Sequence, residues 1–130
     1  MRHHFGTFVL LLWAFFGLLT ALAAGLQPVR FAQRLGLSIA NSGGLNEIRA
    51  QYAGFFLACS IVCAAALAGW LPRYAAFLLL VVVFAGLVSG RLLSLAINHG
   101  TSGYPPAILA LYGIDSVGLL LSVAALKLTQ

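Results

Sequence analysis

Acidic residues are almost absent from this 130-residue chain, which has only Glu47 and Asp115 against seven lysines and arginines. Charged residues of both signs make up 7% of the chain and apolar residues 62%. A soluble domain carries about 25% charged residues, so that class is excluded. The two cysteines, Cys59 and Cys63, lie one helical turn apart in an apolar run. Helical geometry disfavours a disulfide at that spacing, and no second pair of ligands completes a zinc set. They are expected to be small buried residues, with no metal and no cofactor. Common catalytic signatures are missing too: no H-E-x-x-H, no nucleotide-binding glycine loop after a strand and no G-x-S-x-G elbow. The net charge of +5 is scattered, mostly near the ends of apolar runs. Such a pattern suits attraction to lipid headgroups and not nucleic acid, which wants a solvated basic face with aromatics.

What the chain does have is long apolar runs. A helix needs about 20 mostly apolar residues to cross a bilayer, and four runs qualify: residues 5–26, 50–71, 74–97 and 104–126. In lipid each backbone must satisfy its own hydrogen bonds, and four strands cannot close a barrel, so helix is the expected form. The predicted fold is all-α, one integral membrane domain over residues 1–130 built as an antiparallel four-helix transmembrane bundle. Arg2-His3-His4, a long apolar core and Ala21-Leu22-Ala23-Ala24 also have the outline of a secretory leader. The core is longer than a usual leader and carries Trp13, Phe15 and Phe16, so an uncleaved helix is expected.

The longest link, Gln27 to Arg49, contains Pro28 and then Val29-Arg30-Phe31-Ala32-Gln33-Arg34-Leu35. Arg30 and Arg34 are one turn apart, which predicts a short amphipathic helix in the interface with its arginines among lipid phosphates. Asn41-Ser42-Gly43-Gly44 reads as a break, with Asn46 the expected N-cap of the second helix. Trp70-Leu71-Pro72-Arg73-Tyr74 reads as a tight turn with interfacial aromatics, and Pro105-Pro106 as a helix start. Arg2, Arg73 and Lys127 fall on the side of the termini; Arg30 and Arg34 fall opposite, joined by Arg49 and Arg91 unless those two belong to an interior cluster. On that count the positive-inside rule leans slightly toward cytoplasmic termini.

Asp115 lies in the middle of the fourth run, where an acid costs roughly 2.5–3.5 kcal/mol unless it faces protein or water. Arg91 interrupts the third run, and Glu47 and Arg49 precede the second. With alternating spans, the first and third links share one side of the membrane. At about 1.5 Å rise per residue, Arg91 lies roughly 9 Å below the end of its helix and Asp115 roughly 15 Å below the start of its own. An arginine can bridge that difference. Ser94 and Asn98 continue the Arg91 face toward His99. Two readings stand side by side. Glu47, Arg49, Arg91, Ser94, Asn98 and Asp115 line a small polar pocket, or Arg91–Asp115 and Glu47–Arg49 are structural pairs that lock helix packing.

Gly17, Ala21 and Gly25 on helix one, and Gly86 and Gly90 on helix three, repeat at four-residue spacing. They are expected to serve packing within the chain. His3-His4 is a poor metal pair, and His99 reads as a loop histidine. Ser94, His99 and Asp115 include the residue types of a triad, but nothing in their spacing requires one.

Asn46-Glu47-Ile48-Arg49-Ala50-Gln51-Tyr52-Ala53-Gly54, followed by Gly86-Leu87-Val88-Ser89-Gly90-Arg91-Leu92-Leu93-Ser94, resembles the small four-helix bacterial membrane proteins catalogued as domain of unknown function 4345. The resemblance places Arg49, Tyr52 and Gly54 in the motif opening helix two, and Gly90, Arg91 and Ser94 in the motif closing helix three. Asp115 stands where the family's glutamate is expected, and Asn98-His99 stands where an acid before Gly100 is expected. The resemblance implies a multi-pass protein of the bacterial inner (cytoplasmic) membrane and brings no activity with it.

Three functions are therefore carried forward. The first is a non-enzymatic accessory or structural subunit of a membrane complex, with membrane lipids and a larger complex as partners. The second is a lipid or small-amphiphile binder using the Arg/Asp site. The third, and least favoured, is an enzyme using Asp115 or Glu47 as acid/base, for which no matched partner is evident.

Overall fold

The computed structural model describes residues 2–129, and within them no strand occurs. Helix α1 spans Arg2–Leu26, α2 Pro28–Arg34, α3 Ser42–Ile48, α4 Phe55–Leu67, α5 Arg73–Ile97 and α6 Pro106–Thr129. A π-helical segment, Arg49–Gly54, joins α3 to α4, so Ser42–Leu67 runs as one rod. This rod, α1, α5 and α6 are each long and apolar enough to cross a membrane. Antiparallel helices form the ring α1–α4–α5–α6, as the apolar runs predict.

The links confirm which ends lie together. At the end with the chain termini, Arg73 Nη1 donates to Thr7 Oγ1 at 2.9 Å and to the His3 carbonyl at 3.4 Å. At the other end Gly36, whose φ is +75°, leaves room for Pro105; a Cβ there would lie 2.8 Å from the proline Cγ.

Local chemistry explains the helix ends. Gln27 breaks α1 with φ −131° and ψ 58°, and Pro28 opens α2, where its missing N–H costs nothing. Gly69 at φ +79° turns the chain after α4, with Trp70 N donating to Ala65 O at 2.9 Å. The start of the second span differs from the sequence expectation of residue 50. Asn41, not Asn46, is the N-cap, its Oδ1 accepting from Gly44 N at 3.1 Å. Once capped there, the helix runs through Gly43-Gly44, and Asn46 falls inside it. The rod then ends at Leu67, before the residue 71 expected, and α6 begins at Pro106 and not at Tyr104.

The principal core occupies the half of the bundle near the termini. Val9, Leu10, Cys63, Ala76 and Phe77 are fully buried there, with Trp13 against Phe84 at 4.5 Å between ring centroids. Close approach needs small residues. A Cβ on Gly17 would meet Ser60 Oγ at 2.5 Å, and one on Gly118 would meet the Phe84 ring at 2.5 Å. A second, smaller core of Ala24, Ala32 and Ile48 ties α2 to α1 and α3, with the Phe31 ring tilted against Tyr52 at 5.1 Å between centroids. The glycine stripe on α1 packs within the chain as expected. Gly86 and Gly90 do not: nothing lies within 4 Å of a Cβ built on either, and both are exposed.

Candidate functional site

The intramembrane charges meet between the C-terminal half of α5 and the N-terminal half of α6. Arg91 is on α5, and Asp115, 24 residues later, is on α6; Arg91 Nε donates to Asp115 Oδ2 at 2.5 Å. Asp115 is 4% exposed, whereas the Arg91 side chain keeps 19% of its surface open. Burying one of these charges alone would be costly, and the pair relieves both.

Tyrosines complete the cluster. Tyr112 precedes Asp115 by three residues, so both project from one face of α6. Its ring lies 5.6 Å from Arg91 Cζ, in cation–π range, and its hydroxyl donates to the Arg91 carbonyl at 3.0 Å. Above it, the Tyr104 and Ser94 hydroxyls are 2.9 Å apart, and Asn98 Nδ2 donates to Ser94 Oγ at 3.2 Å and to Tyr104 at 3.1 Å. Arg91, Ser94 and Asn98 form one stripe of α5, and Tyr104 folds back on it from the link. The chain of polar groups thus runs from the buried carboxylate toward the membrane surface.

Four of the six residues expected at this site come together: Arg91, Ser94, Asn98 and Asp115. Glu47 and Arg49 do not. Both are exposed on the second span, whose first turns pack on α1 and α2, and the one ion pair among the described residues is Arg91–Asp115. Their positions share an end of the membrane with the cluster but not a face of the bundle. Both side chains are open to the surroundings of the bundle, and neither has an ion-pair partner among the described residues. Tyr104 and Tyr112 were missed, although the three-residue spacing from Tyr112 to Asp115 carried a signal.

His99 takes a left-handed conformation, φ +52°, in the turn that ends α5, and Gly100 N donates to Leu95 O at 3.2 Å. Its position is that of a C-terminal cap, exposed and outside the hydrogen-bonded cluster. Arg49, Tyr52 and Gly54, the motif opening the second span, all fall inside the π-helical segment. That segment abuts α1, where Ala53 sits 3.5 Å from a Cβ built on Gly25. Cys59 and Cys63 are free thiols, half-buried and buried. Among the described residues no three His, Cys, Asp or Glu side chains gather as a metal site.

Arg30 and Arg34 lie exposed on α2, with Arg30 Nη1 donating to Gln27 Oε1 at 3.0 Å. They border a hollow between α2 and the end of α1. The chain matches no protein-family model, no curated protein and no solved structure.

Proposed function

We propose that this chain is a non-enzymatic module of a bacterial cytoplasmic membrane, acting as a structural or accessory subunit of a larger membrane-protein complex. The observation that carries the reading is the mutual pairing of the intramembrane polar groups. Arg91, Asp115 and Tyr112 spend their strongest interactions on one another, which is the behaviour of a helix clamp. The exposed side chains of Val82 and Leu93 on α5 and Leu120 on α6 give an apolar surface on which lipid or a partner helix packs. The bacterial placement rests on the two motifs around Arg49 and Arg91. We take both termini as cytoplasmic, as the orientation to test by terminal-tag accessibility. With Arg49 exposed, Arg2, Arg73 and Lys127 on one side balance Arg30, Arg34 and Arg49 on the other, so the charge rule no longer separates the two orientations.

A second reading, binding of a small amphiphile, draws on one feature of Arg91. It meets Asp115 through Nε, and its terminal NH2 groups have no hydrogen-bond partner among the described residues. Native mass spectrometry on protein extracted gently from its own membrane separates the two. Co-extraction of a fixed protein partner by both wild type and Asp115→Asn supports the subunit role. A retained small-molecule mass that disappears in Asp115→Asn overturns it in favour of amphiphile binding.

A further inference from the structure

The hollow bordered by Arg30 and Arg34 has the chemistry of a two-part ligand. Its volume is about 300 Å³. One wall is the last two turns of α1, where Leu19, Leu22 and Leu26 form a stripe at helical spacing; the other is α2, with Phe31 between the arginines. Leu19 and Leu22 are each 48% exposed and Leu26 77%, so this wall is open to hydrocarbon along roughly 10 Å of helix. The arginines stand one turn apart at the α2 rim, where α1 has ended and the membrane surface begins. Their charge is uncompensated: the one ion pair among the described residues lies elsewhere, and Arg30 is bonded only to the neutral Gln27 amide. A second hollow of about 320 Å³ adjoins the first and shares Leu26, Gln27 and Arg30, so the basic rim is continuous across both.

An apolar wall ending in two guanidinium groups with no acidic partner among the described residues selects an occupant that is anionic at one end and hydrocarbon at the other. We infer that the α1–α2 hollow is a binding site for an anionic phospholipid, its phosphate between Arg30 and Arg34 and an acyl chain along Leu19, Leu22 and Leu26. A zwitterionic lipid brings a cationic group against the same arginines and is disfavoured. Free phosphate offers nothing to the apolar wall. The second core anchors the site, because Ala32 and Phe31 hold α2 against α1 and the Tyr52 ring. This site is separate from the Arg91–Asp115 cluster and does not rest on the subunit role.

The test is native mass spectrometry of the intact protein in detergent with equal amounts of phosphatidylglycerol and phosphatidylcholine carrying the same acyl chains. The expected result is one retained phosphatidylglycerol, favoured about fivefold or more, the preference conferred by a single basic residue near an anionic surface. Arg30→Gln/Arg34→Gln brings the ratio to about one, whereas Arg30→Lys/Arg34→Lys keeps most of it, which separates lost charge from lost folding. Lys127→Gln, at the opposite end, leaves the ratio unchanged. Equal retention of the two lipids, or undiminished preference in the double Gln variant, overturns the inference. Displacement by water-soluble glycerophosphate at the same concentration also overturns it, by showing a phosphate site with no part for the acyl chain.

Discussion

The two halves of the α5–α6 pair are held together by opposite means. Toward the chain termini, α5 buries Ala76, Phe77, Leu80 and Phe84, and α6 buries Gly118, Ser122 and Ala125. Toward the other end neither helix has a buried apolar residue, and Asp115 is the last buried position on α6. There the contact is polar: the Arg91–Asp115 pair, the Tyr112 bond to the Arg91 carbonyl, and the link of Ser94, Asn98 and Tyr104. The difference follows from solvent. Lipid tails are as apolar as leucine, so hydrocarbon contact between helices gains only from close fit, and polar bonds gain from the lack of water. A half without close fit can still be pinned, provided its polar groups are matched.

Removing one charge breaks the comparison most sharply. Asp115→Ala leaves Arg91 unpaired and is expected to cost about 3 kcal/mol or more, measured as unfolding free energy in bicelles or as loss of folded yield. Next is Gly118→Ala, where the new Cβ meets the Phe84 ring, itself fixed against Trp13. Overpacking of this kind costs about 1–3 kcal/mol. Gly86→Ala, on the same helix pair but with nothing within 4 Å, is expected to be neutral or stabilising in the same assay.

Tyr112→Phe removes the hydroxyl bond but keeps the ring over Arg91, with an expected loss of about 1 kcal/mol in unfolding free energy. Two serines give the smallest contrast. Ser60 donates to the Ala14 carbonyl at 2.9 Å, so Ser60→Ala costs about 0.6 kcal/mol in the same unfolding measurement. Ser122 Oγ is buried without a hydrogen-bond partner among the described residues, and Ser122→Ala costs nothing.

The number of spans and the Arg91–Asp115 pairing were legible in the sequence because both rest on strong local signals. Apolar runs of membrane length have one outcome in lipid, and a lone acid inside one of them needs a partner. Depth along a helix was legible as well, from rise per residue. What spacing does not encode is which way a face points relative to the other helices. Gly17–Gly25 and Gly86–Gly90 share the same four-residue interval, yet the first stripe meets Ser60 and Ala53 and the second faces outward. Glu47 and Arg49 were assigned to the cluster by depth alone, and the same missing rotational information explains why they do not reach it. The Asn41 cap was hidden behind two glycines that read as a break, whereas a side-chain acceptor three residues ahead of Gly44 carries the helix through them.

The most direct test of the clamp is a double-mutant cycle on Arg91 and Asp115, measured by reversible unfolding in bicelles. The four proteins are wild type, Arg91→Met, Asp115→Leu and the double variant. A matched polar clamp predicts that each single change is strongly destabilising and that the double apolar replacement recovers most of the loss. A double variant as unstable as the sum of the two single losses would contradict the account, because the two side chains would then not depend on each other.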